Sequence, residues 1–376
     1  MAVKVAYFVH DVGDPAIRRR VAMLKAGDAA VTIMGFRRSE RPMAEMAGLP
    51  VVDLGRTFDT KLGQRARAVA RHILLAQRLR DAVRGADIVL ARNLEMLAIA
   101  ARVRRLAAPQ SRFVYECLDI HPAMVDSGRK GRVLRAVERA LLHRCHLLIV
   151  SSPAFVDAYF RPHQELATPV LLVENKALKL SSCAPQAATP RDRPRPPWRI
   201  GWFGVIRAQK ALDILTGIAA ANPGVAEVVI RGRTALVDFT DFHGQVKRTP
   251  RMSFGGNYTP EDLPAMYADI DLCWAFDYLD ETANSAWLLP NRLYEGGQFA
   301  AVPMARAGTE TGRWLQRHGI GVTFQDPAAE IGPWLRALTP ERYSTLAQAS
   351  HALPRADVVA DLADCRALVQ ALAGVS

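Results

Sequence analysis

The sequence predicts an α/β fold built on two doubly wound parallel sheets, one in each half of the chain. Short, apolar, β-branched segments alternate with amphipathic helical segments over residues 1–180, and the alternation restarts at Trp198. Between these halves, the stretch 181–197 is dense in Pro and Arg, which excludes a helix or an inner strand and predicts a linker. The 376 residues suffice for two domains, which we place at 1–180 and 198–354, followed by a C-terminal helix at 355–376.

The first half begins with a buried strand, Val3 to Val9, and a loop that leads into a helix. Asp14 is predicted to cap this helix, with Pro15 at its first position. Arginines 18–20 follow in the first turns, where positive charge opposes the helix dipole, so either a bound anion compensates them or they are solvated. The other elements predicted for this half are strands at Ala30–Phe36, Val51–Leu54, Asp87–Asn93, Arg112–Cys117, Leu147–Val150 and Val170–Val173, and helices at Thr60–Arg84, Glu95–Leu106 and Val133–Cys145.

The second half repeats the pattern. A strand from Trp198 to Gly204 is predicted to enter a loop that ends at Lys210, before a helix from Ala211 to Ala221. The other elements predicted for this half are strands at Val228–Gly232, Met252–Gly255, Ile270–Phe276 and Ala301–Ala305, and helices at Leu293–Phe299 and Gly308–His318.

The positive charge belongs to the first half. Residues 1–180 contain 30 Lys and Arg against 17 Asp and Glu, a net charge of +13, whereas the remainder contains 19 against 20 and carries −1. This asymmetry indicates an anionic partner for the first half, and both nucleic acid and an anionic membrane surface fit. The predicted helix from Thr60 to Arg84 is basic and amphipathic, which suggests a membrane-surface contact, although a solvated helix face explains it nearly as well.

The pattern of cysteines and the hydropathy of the chain indicate its cellular compartment. The five cysteines are scattered and include no Cys-x-x-Cys pair, which argues against a disulfide framework or a zinc site and favours a reducing compartment. The N-terminus enters a strand directly, without a visible signal peptide, and no apolar run is long enough to span a bilayer. We therefore expect a cytoplasmic protein without a transmembrane helix.

The strongest functional signal lies between Leu288 and Pro303. This stretch is predicted to form a loop, a short helix with Pro290 at its start, and a buried strand, with Glu295 one to two turns into the helix. Open α/β sheets bind ligands in the loops at the carboxyl ends of their strands. A carboxylate there can accept hydrogen bonds from two neighbouring hydroxyls, as on a ribose, whereas an ordinary helix carboxylate is the alternative.

This stretch resembles the donor-binding segment of GT-B glycosyltransferases, in particular the retaining nucleotide-sugar enzymes of the family 4 type. The resemblance implies two Rossmann-like domains facing a cleft, and it gives Glu295 the role of binding the nucleotide ribose. In that family a second Glu lies eight positions upstream, near the donor sugar, but here that position is Trp287. Asn284 and Ser285 are the polar residues expected to supply donor contacts instead. Because of this difference, the resemblance does not predict whether the anomeric configuration is retained or inverted.

Gly204 to Lys210 resembles the family's Gly-rich loop, which holds the donor diphosphate. Lys210 keeps the family spacing of six residues after the Gly, whereas the Arg that usually follows the Gly directly is at position 207. Two cations near a helix N-terminus fit a diphosphate site, although each can also be a surface charge. The further donor-binding candidates implied by the resemblance are Asn291, Arg292, Arg231 and Tyr258.

The end of the strand Arg112–Cys117 resembles the family's Tyr-Glu-x-His-Asp-x-x-Pro segment. Tyr115, Glu116, Asp119 and Pro122 match it, while Leu118 replaces the usual His. Asp119 is the candidate for the residue nearest the reacting centre, with loop capping as its alternative. The remaining catalytic candidates are His121 and Lys210, and the acceptor-binding candidates, from the first loop and helix, are His10, Asp11, Arg18 and Arg20.

The predicted function is transfer of a sugar from a UDP- or GDP-sugar to a lipid-diphosphate-linked saccharide in surface or exopolysaccharide assembly. We expect no metal or other cofactor and a peripheral position on the inner face of the plasma membrane. One alternative is a GT-B nucleotide-sugar epimerase, which would need more acidic and basic groups in the cleft. Another is a non-enzymatic nucleic-acid-binding protein, but the sequence has no recognised motif and its charge is not interleaved with aromatic residues.

Overall fold

The computed structural model describes residues 2–58, 61–180, 196–281 and 283–375. The chain forms two compact units. Unit 1 comprises Met1–Glu174, Leu178–Leu180 and Ala360–Ser376, and unit 2 comprises Asn175–Ala177 and Ser181–Val359. Apart from Pro196 and Pro197, the predicted linker 181–197 lies outside the described residues.

Unit 1 is built on an eight-stranded sheet with the order β3-β4-β2-β1-β5-β6-β7-β8. The central strands are the most apolar and the most deeply buried, because helices cover both faces of a parallel sheet. All neighbouring strands are parallel except β3 and β4. The strands are β1 (Val3–Val9), β2 (Ala29–Arg37), β3 (Glu45–Met46), β4 (Leu49–Arg56), β5 (Ile88–Arg92), β6 (Arg112–Cys117), β7 (Leu147–Val150) and β8 (Val170–Leu172).

The helices of unit 1 lie on the two faces of this sheet. Helix α4 packs against both α2 and α6 on one face, and α1 packs against the C-terminal helix α18 on the other. Gly27, which ends α1, approaches α18 so closely that a Cβ atom would lie 2.3 Å from the carbonyl oxygen of Cys365. The helices are α1 (Pro15–Ala26), α2 (Leu62–Leu74), α3 (Arg80–Val83), α4 (Asn93–Ala107), α5 (Pro122–Val125), α6 (Arg129–Leu142), α7 (Pro153–Phe155), α8 (Arg161–Gln164) and α18 (Leu362–Ala373), with a π-helical turn at Val156–Phe160.

The prediction of one continuous helix from Thr60 to Arg84 is wrong. Helix α2 ends at Leu74, a 3-10 turn spans Ala76–Leu79, and α3 follows. Ala76 and Leu79 are both buried, whereas Leu74 is exposed. The break therefore separates the exposed end of α2 from a following turn that contributes two side chains to the core.

Unit 2 is built on a six-stranded parallel sheet with the order β12-β11-β10-β13-β14-β15. Its core contains three fully buried tryptophans, Trp198, Trp202 and Trp274. The strands are β10 (Trp198–Ile206), β11 (Ala226–Thr234), β12 (Met252–Phe254), β13 (Leu272–Trp274), β14 (Val302–Arg306) and β15 (Val322–Phe324). A separate two-stranded sheet pairs β9 (Ala177–Leu178) with β16 (Val359–Ala360).

The longest helices of unit 2 follow its strands in alternation, so the predicted doubly wound α/β class is confirmed. Strand β10 runs two residues further than predicted, and the following helix begins at Gln209 rather than Ala211. The helices are α9 (Gln209–Ala221), α10 (Phe242–Arg248), α11 (Leu263–Ala268), α12 (Asn284–Trp287), α13 (Asn291–Gly297), α14 (Glu310–His318), α15 (Pro327–Ala337), α16 (Pro340–His351) and α17 (Arg355–Val358).

Candidate donor and acceptor sites

The carboxyl ends of three neighbouring strands in unit 2 carry the predicted donor residues. Strand β10 leads to Arg207, β13 leads to Asp277, and β14 ends at Arg306. Gly204 has a φ of +109°, which a residue with a side chain rarely adopts, and a Cβ there would meet only the Tyr258 hydroxyl, 4.0 Å away. There is therefore space beside the backbone at Gly204, where the predicted diphosphate loop begins.

Lys210 and Arg306 both contact the carboxylate of Glu281. Arg306 is not among the donor-site residues that the sequence predicts. The Nζ atom of Lys210, in the first turn of α9, lies 2.8 Å from both carboxylate oxygens of Glu281. Arg306 Nη1 donates to Glu281 Oε2 at 3.0 Å. Lys210 is 54% exposed and Glu281 is 31% exposed, so this group of three charges faces solvent.

Arg207 belongs to a second, more buried set of charges. Its Nη2 atom lies 2.8 Å from Asp277 Oδ2. Burial alone would raise the pKa of Asp277, but the charges of Arg207 and Arg292 outweigh burial and lower the pKa. The Ser285 hydroxyl donates to Asp277 and accepts a hydrogen bond from the Asp280 backbone N–H at 2.9 Å. This buried hydroxyl orients Asp277, and the donor contact expected of Ser285 stays a prediction.

Arg292 also has an internal role. Its guanidinium is buried and donates to the carbonyl oxygens of Phe203, at 3.4 Å, and Phe276, at 2.5 Å. Arg292 therefore ties β10 to the segment after β13, and the donor contact that the resemblance implies for it stays a prediction. Asn291, one residue earlier in α13, is exposed, and Asn284, at the start of α12, is partly buried.

Glu295 lies one turn further along α13 and is partly buried. Burial raises the pKa of Tyr258, and the nearby charge of Glu295 raises it further, so these two predicted donor residues are neighbours. Arg231 Nη2, near the end of β11, donates to the Asn257 carbonyl oxygen at 3.2 Å. The structure thus brings Glu295, Tyr258 and Gly204 into one region of unit 2.

In unit 1, the predicted acceptor residues lie at the carboxyl end of β1. His10 Nε2 is 3.6 Å from Asp14 Oδ2, and Asp11 Oδ1 accepts from the Gly13 N–H at 2.9 Å. Burial, opposed by Asp14 and reinforced by three arginines, lowers the pKa of His10 to about 4. The imidazole is therefore neutral near pH 7. The three arginines are Arg92, Arg38 and Arg65.

Arg18 and Arg20 have different environments, although both were predicted to bind the acceptor. Arg18 is exposed, whereas Arg20 is buried and its Nε lies 2.6 Å from Glu116 Oε1. Arg92 Nε lies 2.8 Å from the other oxygen of Glu116, which also accepts from the Tyr7 hydroxyl at 2.5 Å. Arg20 is therefore paired inside the protein, and the acceptor contact expected of it stays a prediction.

Glu116 is the centre of this buried charge group. Burial would raise its pKa, but the two arginines outweigh burial and lower the pKa to about 2, so the carboxylate is ionised. Sequence reasoning matched Glu116 to a family motif without giving it a role, and it gave Arg92 none. The available signal was Arg92 in an otherwise apolar strand and Glu116 near the end of a strand whose other charged residue, Arg112, is its first.

Asp119 and His121 follow β6. Asp119 is exposed, and its carbonyl oxygen accepts a weak hydrogen bond from the Cys117 thiol at 3.5 Å. His121 caps the short helix α5, because its Nδ1 atom accepts from the Ala123 N–H at 3.1 Å. His121 thus caps a helix and Asp119 is exposed after a strand end, and the catalytic roles expected of both residues stay predictions.

Among the described residues, no group of three or more His, Cys, Asp or Glu side chains is arranged to hold a metal ion. No helix among those residues is both long enough and apolar enough to cross a bilayer.

Comparison with known proteins identifies the family. No family model matches the chain. A curated relative, the succinoglycan biosynthesis protein ExoL of Rhizobium meliloti (strain 1021), is 43% identical over 376 residues, which cover 99% of this chain and 93% of that protein. The chain belongs to the ExoL family.

Solved structures establish the fold. HepE from Anabaena, in complex with UDP and glucose, has a TM-score of 0.69 at 17% identity over 100% of both chains. Sucrose-phosphate synthase from Thermosynechococcus elongatus has a TM-score of 0.70 at 15% identity, covering 99% of this chain and 100% of that one. WaaG, a glycosyltransferase involved in lipopolysaccharide biosynthesis, has a TM-score of 0.66 at 12% identity over 98% and 100%. The predicted GT-B fold is confirmed, and the prediction of a glycosyltransferase is confirmed at the level of family and fold.

Proposed function

We propose that this chain transfers a sugar from a nucleotide-sugar donor, bound by unit 2, to a lipid-diphosphate-linked saccharide, bound by unit 1, during exopolysaccharide assembly. The observation that carries the proposal is the group of cations at the carboxyl edge of the unit 2 sheet. There Lys210 and Arg306 flank Glu281, and Arg207 lies beside Asp277. Because a donor diphosphate is negatively charged, it can take the place of the Glu281 carboxylate between Lys210 and Arg306.

The relatives support this choice of substrates. ExoL is a succinoglycan biosynthesis protein, and HepE has been solved with UDP-glucose. These findings favour a polysaccharide product and a UDP-sugar donor, ahead of a GDP-sugar, for this chain as well. The charge of +13 in residues 1–180 favours an acceptor that carries phosphate groups.

The chemistry assigned to the chain is displacement of the diphosphate. The bond from the anomeric carbon to the diphosphate oxygen breaks, a bond to the acceptor hydroxyl oxygen forms, and the hydroxyl proton passes to a base. Lys210, Arg207 and Arg306 stabilise the charge on the leaving diphosphate without a metal ion. Asp119 is the candidate base, and Glu295 is the candidate for binding the ribose hydroxyls.

The test is nucleotide release from a panel of UDP- and GDP-sugars, measured with and without lipid-linked saccharide acceptors. The proposal requires release that depends on the acceptor, together with a sugar added to the lipid fraction. Lys210→Ala should abolish most of the release, whereas Lys247→Ala, at another exposed lysine of unit 2, should leave it unchanged. Conversion of one nucleotide sugar into another without release would indicate an epimerase instead, and inactivity with every donor would overturn the proposal.

We also propose a peripheral position on the inner face of the plasma membrane, with α2 as one basic contact. Arg71 and Leu74 of this helix are exposed, which suits a membrane surface. Arg65 of the same helix is paired within the protein, because its Nη2 atom lies 2.8 Å from Glu95 Oε1.

A further inference from the structure

The segment that follows β13 contacts every cation of the proposed diphosphate site. Asp277 pairs with the arginine that follows β10, and Glu281 contacts both Lys210 and the arginine at the end of β14. Because β13 lies between β10 and β14 in the sheet, the segment is flanked by the two strands that lead to the cations. Tyr278, which is not among the predicted donor residues, lies between the two carboxylates in the chain.

The aromatic ring of Tyr278 supports the ammonium group of Lys210. The Nζ atom lies over the ring, 5.3 Å from its centroid. An ammonium within about 6 Å of a ring centroid is attracted by the partial negative charge on the face of the ring. Tyr278 is 7% exposed, whereas Lys210 is 54% exposed. The buried ring therefore contacts a cation that faces solvent.

Packing fixes the position of the ring. Tyr278 stacks on Phe276, with 6.1 Å between the ring centroids and 7° between the ring planes, and its centroid lies 6.4 Å from that of Trp274. All three aromatic residues belong to the hydrophobic core of unit 2. The flexible side chain of Lys210 thus rests on a rigid surface, and neighbours that are locked by packing hold a binding group in one geometry.

The contact uses the ring of Tyr278 and not its hydroxyl. Burial raises the pKa of the hydroxyl, and the charge of Glu281 raises it further, so the phenol is neutral near pH 7. Within the part of the chain that the structure describes, no group forms a hydrogen bond with the hydroxyl oxygen. Removing the hydroxyl would break no hydrogen bond to those residues, whereas removing the ring would take away a support of the Lys210 ammonium.

We propose that Tyr278 is a positioning residue for sugar transfer, whose ring keeps the Lys210 ammonium at the diphosphate site when the donor displaces Glu281. A diphosphate competes with Glu281 for the ammonium because both are anions, but it does not compete with an uncharged ring. Without the ring, the Lys210 side chain would regain its rotamer freedom as Glu281 leaves, and ordering it again would weaken its attraction for the diphosphate. The inference rests on the proposed function, which supplies the diphosphate.

The first experiment compares Tyr278→Leu with Tyr278→Phe in the acceptor-dependent release of nucleotide. Tyr278→Leu removes the ring and should lower kcat about tenfold with a smaller change in KM, because the leaving diphosphate gains charge in the transition state. Tyr278→Phe keeps the ring face and should recover most of that loss. Phe242→Leu is the matched control, since Phe242 is another buried ring of the same core but lies in α10. The control variant should retain the kcat of the unmodified chain.

A double-mutant cycle shows whether Tyr278 acts through Lys210. In the Lys210→Ala background the ring has no ammonium to hold, so adding Tyr278→Leu should lower kcat by less than about twofold. A purely structural role of the ring would instead lower kcat about tenfold in both backgrounds.

The contact can also be measured without donor or acceptor. Limited acetylation of the folded chain, followed by mass spectrometry of its peptides, gives the rate at which the Lys210 amine is modified. This rate should be about threefold higher in Tyr278→Leu than in Tyr278→Phe, because the ring no longer covers one side of the amine. Lys247, an exposed lysine of unit 2, is the reference in each sample, and its rate should be the same in both variants.

Three results would overturn the inference: equal loss of kcat on adding Tyr278→Leu to the unmodified chain and to Lys210→Ala, equal acetylation of Lys210 in the Leu and Phe variants, or a Tyr278→Phe variant as impaired as Tyr278→Leu. Circular dichroism verifies that each variant is folded. Tyr278→Met, whose flexible side chain fills irregular gaps in a core, replaces Tyr278→Leu if the latter is unfolded. Inactivity with every donor, together with acetylation of Lys210 that depends on the ring, would overturn the proposed function and leave the contact between Tyr278 and Lys210 established.

Discussion

Each unit places one carboxylate between two cations, but the two carboxylates are buried to very different extents. In unit 1, Glu116 lies between Arg20 and Arg92 and is 0% exposed. In unit 2, Glu281 lies between Lys210 and Arg306 and is 31% exposed. The charge pattern is the same, so solvent access decides what each group can do. The buried group around Glu116 is structural, whereas water and ligands can reach the exposed group around Glu281.

The two arrangements also differ in their hydrogen bonds. Glu116 accepts from two arginines and from the Tyr7 hydroxyl, so each of its oxygens is bonded inside the protein. Removing one member of such a buried group leaves the others charged and unpaired, which is strongly destabilising. An exposed ion pair contributes little to stability, because water replaces either partner at low cost. An anionic ligand can therefore exchange with Glu281 but not with Glu116.

The largest effect is expected from Glu116→Gln. Loss of the charge leaves Arg20 and Arg92 uncompensated in the interior, and we expect unit 1 to lose about 3–5 kcal/mol of stability in urea unfolding. A loss below about 1 kcal/mol would show that water or rearrangement compensates the arginines, and the contrast with Glu281 would disappear.

Acid should remove the same stabilisation from the unmodified chain. The pKa of Glu116 is lowered from 4.5 to about 2, so the folded state binds its proton more weakly than the unfolded state does. The contribution of Glu116 is thus complete above about pH 4.5 and is lost as pH falls towards 2. Unfolding followed by circular dichroism over this range should be steeper in the unmodified chain than in Glu116→Gln. Parallel curves for the two would contradict the assignment.

Lys210→Ala is expected to have the next largest effect. Loss of a cation that stabilises the leaving diphosphate should lower turnover about a hundredfold, with little change in stability because Lys210 is exposed. Arg207→Ala should be less damaging, since only Lys210 keeps the spacing to Gly204 that the resemblance requires. Initial-rate measurements on both variants show which substitution lowers turnover more. A larger effect of Arg207→Ala would mean that the loop from Gly204 to Lys210 is aligned incorrectly with the family's Gly-rich loop.

Glu295→Gln should weaken binding of the nucleotide by about 1.5–3 kcal/mol, the usual range for hydrogen bonds to a charged group. The substitution keeps the size of a side chain that is only partly buried, so the fold should be retained. Titration calorimetry with the free nucleotide measures the change. Affinity equal to that of the unmodified chain would leave Glu295 as an ordinary helix carboxylate.

Local signals in the sequence predicted much of the fold. Asp14 and Pro15 marked the start of α1, and the Asp14 side chain indeed accepts from the Ala16 N–H at 2.8 Å. Alternation of apolar and amphipathic segments located β1 and β10, because burial on both faces demands continuous apolar runs.

Pairings between distant residues were not predictable in the same way. Arg20 meets Glu116 across 96 positions, and Arg306 meets Glu281 across 25, so the partners depend on the order of strands in each sheet. The orientation of α6 was not predictable for a related reason. Glu138 of this helix is held in the interior by hydrogen bonds from Tyr115, Tyr159 and Gln164, which belong to other elements, and Val133 is exposed.

The smallest effect on stability is expected from Glu281→Gln, and it separates the two carboxylates most directly. Because Lys210 and Glu281 are both open to solvent, the free energy of unfolding should change by less than about 1 kcal/mol. Donor affinity should rise, because the diphosphate no longer competes with a carboxylate for Lys210 and Arg306. Salt should reduce the gain by screening that competition. Glu227→Gln is the control, since Glu227 pairs with Arg251 at 2.9 Å in the same unit, away from the carboxyl ends of the strands. Calorimetry that finds weaker donor binding for Glu281→Gln, but not for Glu227→Gln, would mean that Glu281 holds the two cations in place for the donor instead of competing with it.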